Sequence, residues 1–141
     1  MDDCIFCQIV DGDIPSRTVY EDEDVFAFLD VNPLAPGHTL VIPKGHYETL
    51  GDVPGDLGAD VLTAVHRLVP VVEDAVDADG STVAFNNGEA AGQEVPHVHC
   101  HIVPRFEGDG HGPIHALFGG PGEMDDDELD AIADRISDAA N

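Results

Sequence analysis

The apolar and polar positions divide the chain into short segments of two different periods. In TVYEDEDVFAFLD, Val25, Ala27 and Leu29 alternate with Phe26 and Phe28. A period of two predicts a pair of strands with one set of side chains on each face, broken by an acidic hairpin at Glu21–Asp24. HTLVIP is a further strand, stopped by Pro43. From about Asp56 to Asp79 the period changes, and Leu57, Val61, Ala64, Val65, Leu68, Val72 and Val76 recur at helical spacing. Pro70 lies inside that stretch and predicts a kink or a break. STVAFNNG and VPHVHCHIVP read as two more strands. At the start, CIFCQIVDGDIPSR predicts one or two helical turns ending at the Asp-Gly turn signal. Residues 107–122 are rich in glycine and have no period, as in a loop, and residues 123–141 predict a helix with acidic residues at its start, where the helix dipole favours them. No repeat or linker divides residues 1–141, so the pattern predicts a single α+β domain: a mostly antiparallel sheet of about five strands, a long helix and a C-terminal helix.

Charge narrows the possible partners. The 141 residues include 29 acidic and five basic ones, a formal charge of -24, and Lys44 is the single lysine. Duplex nucleic acid and anionic membranes need a broad basic patch and are excluded as partners. A hydrophobic content of 43% is too high for a disordered acidic chain. Self-repulsion on this scale is relieved by salt, which leads us to expect a halophilic source. No apolar run is long enough for a membrane span, and no basic start leads into an apolar signal segment. The three cysteines, Cys4, Cys7 and Cys100, are odd in number, and the tight Cys4-x-x-Cys7 pair speaks against a secreted disulfide scaffold. The expected location is the cytoplasm.

The candidate chemistry is concentrated in PHVHCHIVPR. In a strand His97, His99 and His101 share one face, while Val98, Cys100 and Ile102 share the other and should face the core. Three histidines on a cleft face fit a solvated surface, a metal site or acid–base and nucleophilic catalysis, and periodicity alone leaves these readings open.

The motif HVHCHIV resembles the signature of the histidine triad superfamily of nucleotide hydrolases and transferases. CIFCQIVDGDIPS, FLDVNPLAPGHTLVIPKGHYETL and FNNGEAAGQEVPHVHCHIVPR resemble that family in its usual order, over roughly residues 4–106. The resemblance implies a histidine-triad fold and a hydrolase that cleaves purine nucleotide conjugates at the α-phosphate, releasing AMP or GMP. His99 matches the nucleophile, whose neutral imidazole attacks phosphorus to give a covalent nucleotidyl-histidine. His101 matches a phosphate contact, and His38 another histidine of the same pocket. Asp30 matches the acceptor of the ribose hydroxyls, with Phe6, Ile9, Phe26 and Leu40 as candidates for an apolar slot around the base. Asn86 matches a polar residue near the phosphate. Gly92 and Gln93 match the pair before the triad, where the Gln93 amide would hold the phosphate or leaving group. The resemblance to prokaryotic members with the N-terminal pair implies a structural zinc site of Cys4, Cys7, His46 and His97. A homodimer is implied in the same way.

Glu94 departs from the pattern, because many eukaryotic phosphoramidate hydrolases of the family carry a serine there. An adenosine 5′-phosphoramidate and a diadenosine polyphosphate are the two substrate types to separate, and Arg105 beside the triad tilts slightly toward the longer anionic leaving group. Two other classes compete: a hydrolase whose three histidines bind a catalytic zinc, and a non-catalytic purine nucleotide-binding regulatory module.

Overall fold

The computed structural model describes residues 3–141. A short helix, α1 (Ile5–Val10), is followed by strands β1 (Thr18–Glu21), β2 (Val25–Leu29) and β3 (Thr39–Pro43). The long helix α2 (Gly55–Ala75) leads into β4 (Gly80–Phe85) and β5 (Cys100–Arg105), and α3 (Asp126–Ala140) ends the chain. The five strands form one antiparallel sheet in the order β1-β2-β3-β5-β4. This is the α+β arrangement that the periodicity predicts.

The sheet carries a core on each face. Val25, Ala27, Val41, Cys100 and Ile102 pack on Val61, Ala64, Val65, Leu68 and Val72 of α2. On the opposite face Phe26, Phe28, Leu40 and Ile42 pack on Cys4 and Phe6 from the N-terminal segment. The alternation in β2 therefore sorts its side chains between two cores, with Leu29 half-buried at the strand end. Because both faces are covered, β3 is buried along its whole length. Cys100 lies on the α2 face, and burial pushes its thiol up to about 12.

The acidic hairpin between β1 and β2 is organised by Asp22. Its Oδ1 accepts the N–H groups of Asp24 and Val25 at 2.9 and 2.8 Å, and its Oδ2 accepts the Tyr20 hydroxyl at 2.7 Å.

A break at Pro70 and a strand start at Val95 do not occur, each for an identifiable reason. Pro70 does not break α2, which runs unbroken to Ala75. Pro70 and His66 lie on the exposed face, so the His66 carbonyl that lacks an N–H partner is turned toward water. The helix ends one residue before Val76, and Asp77 then takes a left-handed conformation at φ 55°. The last strand begins only at Cys100, not at Val95. Pro96 has no N–H for a ladder, the His97 N–H turns back to the Val95 carbonyl at 2.8 Å, and the Val98 N–H is taken by the Tyr47 carbonyl at 2.7 Å.

The chain divides into two compact units, the first ending at Asp109 and the second spanning Gly110–Asn141. In the second unit a 3-10 turn, Ile114–Phe118, interrupts the glycine-rich stretch expected to be irregular. The helix α3 is N-capped by Asp125, whose carboxylate accepts the Glu128 N–H at 2.8 Å, and Asp126, Asp127 and Glu128 occupy its first turn. Among the described residues no helix is long and apolar enough to cross a membrane.

Candidate active site and metal centre

The three triad histidines serve two different centres. The first lies where α1 meets the chain entering β5. Cys4 is the N-cap of α1 and Cys7 lies one turn on, so both thiols point to one side. Cys4 Sγ is 3.4 Å from His97 Nδ1, and Cys7 Sγ is 3.4 Å from His46 Nδ1 and 3.5 Å from His97 Nδ1. All four ligand atoms fall within 4.8 Å of one another. A tetrahedral zinc with ordinary Zn–S and Zn–N bonds would separate sulfur from nitrogen by about 3.6 Å, so this donor set fits that ion. The tautomer fits as well. His97 Nε2 sits 2.9 Å from the Pro43 carbonyl, which can only accept, so the proton belongs on Nε2 and the Nδ1 lone pair faces the sulfurs. Burial, then the hydrogen bond and charge of Cys4, push the Cys7 thiol up to about 11. A divalent cation among these atoms inverts that preference and favours both thiolates.

The second centre begins two residues later. His99 Nδ1 donates to the carbonyl of His97 at 2.8 Å, which leaves its Nε2 lone pair free. Its ring stands edge-on to Phe6, with centroids 5.1 Å apart, and 4.9 Å from the ring of His101. His101 lies within β5, paired with Leu40 of β3 and Ala84 of β4. His101 Nδ1 is 2.9 Å from Nε2 of His38, and the Leu34 N–H donates to His38 Nδ1 at 3.0 Å. A backbone N–H is always a donor, so the protons along this chain are assigned in turn. His38 carries its proton on Nε2 and donates to His101 Nδ1, which places the His101 proton on Nε2. Burial, then the charges of His99 and His38, lower His101 to about 4, opposed by Asp30. Burial also lowers His38, again opposed by Asp30. Both rings are therefore neutral near pH 7, as the shared proton requires.

Asp30 follows β2 and joins the group of His38 and His101. Its Oδ2 lies 3.8 Å from His38 Nδ1, beyond a hydrogen bond, and its Oδ1 accepts the Asn32 N–H at 2.9 Å. Together these groups bring an imidazole nitrogen with an unengaged lone pair, a neutral N–H donor and a partly exposed carboxylate close to one another.

The remaining expected residues fall in different settings. Phe6, Phe26 and Leu40 are packed into the second core at 4–6% exposure, and Ile9 is partly buried against it. Of these, Phe6 touches His99 directly. Asn86 follows the end of β4 and is half-buried. Gly92 caps the turn Glu89–Ala91 at φ 90°, a left-handed conformation that favours glycine. The Gln93 amide is bonded to three backbone groups, the Gly88 N–H and the carbonyls of Glu48 and Val95. Glu94 is exposed. Arg105, at the far end of β5, is bonded to Asp109 and Thr82. The three triad histidines do not gather around one ion: His97 faces the cysteines, and His101 groups with Asp30 and His38. The carbonyls of Pro43 and His97 and the N–H of Leu34 escaped the sequence reading because they are backbone groups. Asn87, whose Oδ1 accepts the Leu50 N–H at 3.0 Å, was discoverable only as a polar residue in a turn.

A cluster of two cysteines and two histidines lies beside a second group of imidazoles, and the spacing of His97, His99 and His101 along the chain is that of a histidine triad. The HIT domain profile matches residues 11–108, and the chain belongs to that family. An uncharacterized HIT-like protein of Methanocaldococcus jannaschii is 52% identical over 107 residues, covering 76% of this chain and 82% of its own. An adenylylsulfatase of Arabidopsis thaliana is 42% identical, covering 76% of this chain and 54% of its own. An adenosine 5′-monophosphoramidase of Candida albicans is 40% identical, covering 72% and 70%. Among solved structures, SMU.412c of Streptococcus mutans superposes with a TM-score of 0.90 at 40% identity, covering 100% of this chain and 87% of its own. A Zn-bound histidine triad family protein of Mycobacterium smegmatis gives a TM-score of 0.75 at 42% identity, covering 79% and 81%.

Two measurements test the centres separately. Cys4→Ala and Cys7→Ala should each lower bound zinc well below the wild-type level and reduce the melting temperature by roughly 10 °C; full zinc content in both variants would remove these ligands from the site. Nitrogen NMR should show the Nε2–H tautomer for His38 and His101 and the Nδ1–H tautomer for His99, with His101 staying neutral down to about pH 5. The folded value of about 4 lies below the ordinary 6.5, so between those values the unfolded chain binds more protons. His101 therefore contributes its full stability above pH 6.5 and loses it as the pH falls toward 4. A His101 titration near 6.5 would refute the assigned hydrogen-bond chain.

Proposed function

We propose that the chain is a nucleotide hydrolase of the histidine-triad type, acting on purine nucleotide conjugates that resemble adenosine 5′-phosphoramidate. The observation that carries this reading is the hydrogen bond from His99 Nδ1 to the His97 carbonyl at 2.8 Å, which leaves Nε2 as a free base in a pocket beside a neutral donor. In the first step His99 Nε2 attacks the α-phosphorus, a P–N bond to the enzyme forms, and the bond from phosphorus to the leaving nitrogen breaks. The leaving nitrogen takes up a proton from water. In the second step water attacks the nucleotidyl-histidine, releases AMP or GMP and returns a proton, so the two steps balance. Throughout, the His101 Nε2–H donates to a phosphoryl oxygen, and the Asp30 carboxylate accepts from the ribose hydroxyls.

The names of the Candida and Arabidopsis relatives support cleavage at an adenylyl phosphorus, and they differ in the leaving group. An amine is favoured here over a polyphosphate. Arg105, the nearest basic residue to the triad in the sequence, is bonded to Asp109 and Thr82, so it does not supply a ready counter-charge for a long anionic leaving group.

In this reading zinc is structural. Cys4, Cys7, His46 and His97 would hold it, and the ion would tie α1, the turn after β3 and the entry to β5 together. The Zn-bound mycobacterial relative supports that assignment. The working form is a homodimer in the cytoplasm. β4 lies at the sheet edge, and Val83, Leu62 and Val71 are between 43% and 56% exposed.

His99→Ala should lower kcat for an adenosine phosphoramidate by roughly 10³-fold or more while leaving zinc content unchanged. Acid-quenched wild type should retain label from an adenylyl-labelled substrate, and His99→Ala should not. Absence of a labelled enzyme during rapid turnover would remove the covalent step, and AMP binding without any turnover would favour the regulatory module. A solution mass of one chain by light scattering would remove the homodimer.

A further inference from the structure

Gln93 lies four residues before the first triad histidine and makes three hydrogen bonds to backbone. Its Oε1 accepts the Gly88 N–H at 2.7 Å, and its Nε2 donates to the carbonyls of Glu48 and Val95 at 2.7 and 2.9 Å. These partners fix the orientation of the amide, because a flipped group would set Nε2 against an N–H and Oε1 against two carbonyls. Both side-chain donors are therefore engaged. A phosphate oxygen accepts hydrogen bonds, and Gln93 can serve it only by abandoning one of these carbonyls.

The Val95 carbonyl has a second partner. It also accepts the His97 N–H at 2.8 Å, and the His97 carbonyl in turn holds His99 Nδ1 at 2.8 Å. A continuous path of hydrogen bonds thus runs from Gln93 through Val95 and His97 to His99. The bond to Glu48 reaches two residues beyond His46, and neighbouring bonds reinforce the link, from Leu50 N–H to Asn87 Oδ1 at 3.0 Å and from Val98 N–H to the Tyr47 carbonyl at 2.7 Å. On its other side Gln93 fixes Gly88, whose carbonyl accepts the N–H groups of Ala91 and Gln93 and closes the turn at 3.1 Å each. Gly88 holds φ 90° there, a conformation that favours glycine.

We propose that Gln93 is a positioning residue for the nucleophile: it fixes the Val95 carbonyl that anchors His97, and so sets the carbonyl on which His99 is oriented, while pinning the segment after His46 to the same point. This rests on the hydrolase reading above and gives that reading a residue that acts without touching the phosphate.

The test uses full-length, metal-loaded protein with Gln93→Leu, which removes all three bonds, and Gln93→Glu, which keeps the acceptor for Gly88 and loses both donors. In the nucleotide-free protein, amide exchange at His97 should accelerate about tenfold or more in both variants, and exchange at Gly88 in Gln93→Leu alone. Zinc release to a chelator should accelerate in both. With an adenosine phosphoramidate, kcat should fall by about tenfold or more while the Kd for AMP stays within about twofold of wild type. A direct phosphate ligand would give the opposite pattern, with unchanged exchange and a Kd for AMP weakened relative to adenosine, and that result overturns the proposal. A folded Gln93→Glu with wild-type kcat also overturns it. If Gln93→Leu does not fold, Gln93→Glu alone decides through the His97 exchange and kcat. The exchange and zinc measurements involve no substrate, so they support the brace even where wild type hydrolyses none of the nucleotides tried, an outcome that would count against the hydrolase reading alone.

Discussion

The site depends on the hydrogen bond from His97 Nε2 to the Pro43 carbonyl. It turns a buried imidazole so that its other nitrogen faces two thiols, and it ties the entry of β5 to the end of β3. The backbone of the same residue then accepts from His99. One residue therefore belongs to both centres: its ring to the cysteine cluster and its carbonyl to His99. A displaced His97 ring would shift the metal ligand and the orientation of His99 together. Pro43 suits the acceptor role because its missing N–H ends the strand there while its carbonyl remains available.

Much of this was legible from residue type and period. The alternation in β2 set Val25, Ala27 and Leu29 on one face and Phe26 and Phe28 on the other, and the structure keeps that division between two cores for all but Leu29, which is half-buried at the strand end. The helical period found α2 and its buried stripe, although it overstated the effect of Pro70, since periodicity does not reveal which carbonyl loses its partner or whether water reaches it. The four sulfur and imidazole donors were named from resemblance and come together as a cluster. What could not be read were roles set by backbone groups. Alternation put His97, His99 and His101 on one strand face, whereas His97 and His99 precede the strand and owe their orientation to the carbonyls of Pro43 and His97. Apolar character likewise could not separate a base slot from a core, and Phe26 and Leu40 are deeply packed. Gln93 has the same kind of ambiguity. Its chemistry suits an anion, but its donors face carbonyls.

The two cores explain why so small a domain can hold such a site still. The α2 side is aliphatic and closes one face of the sheet, leaving the other face to Phe6, Phe26, Phe28 and the triad. His101 lies in β5 between β3 and β4, so its ring is carried by three hydrogen-bonded strands and not by a loop. His38 and Asp30 lie at the adjoining ends of β3 and β2, where the Asp30 N–H donates to the His38 carbonyl at 3.0 Å. Placing the groups on a sheet fixes their separations more tightly than flexible segments would.

A chain of formal charge -24 faces a particular difficulty with an anionic ligand. Three of its five basic residues are engaged within the structure: Lys44 with Glu21 at 2.7 Å, Arg105 with Asp109, and Arg67 over the ring of Tyr20. The triad pocket substitutes neutral donors for cations. Burial keeps His38 and His101 uncharged, and the fixed proton chain leaves His101 with an Nε2–H dipole in place of a full positive charge. A neutral donor binds a phosphate more weakly than an ammonium or guanidinium group does. On the proposed reaction, weaker binding of a released nucleoside monophosphate helps turnover, provided the donor is aimed at the oxygen that gains charge during attack. The same neutrality bears on His99. A charged His101 would donate from both nitrogens, lose its bond from His38, and set a cation 4.9 Å from the ring of His99, where it would disfavour any positive charge on that ring. Keeping the flanking rings neutral therefore preserves both the donor geometry and an uncharged neighbour for His99 through one cause, their burial against the sheet.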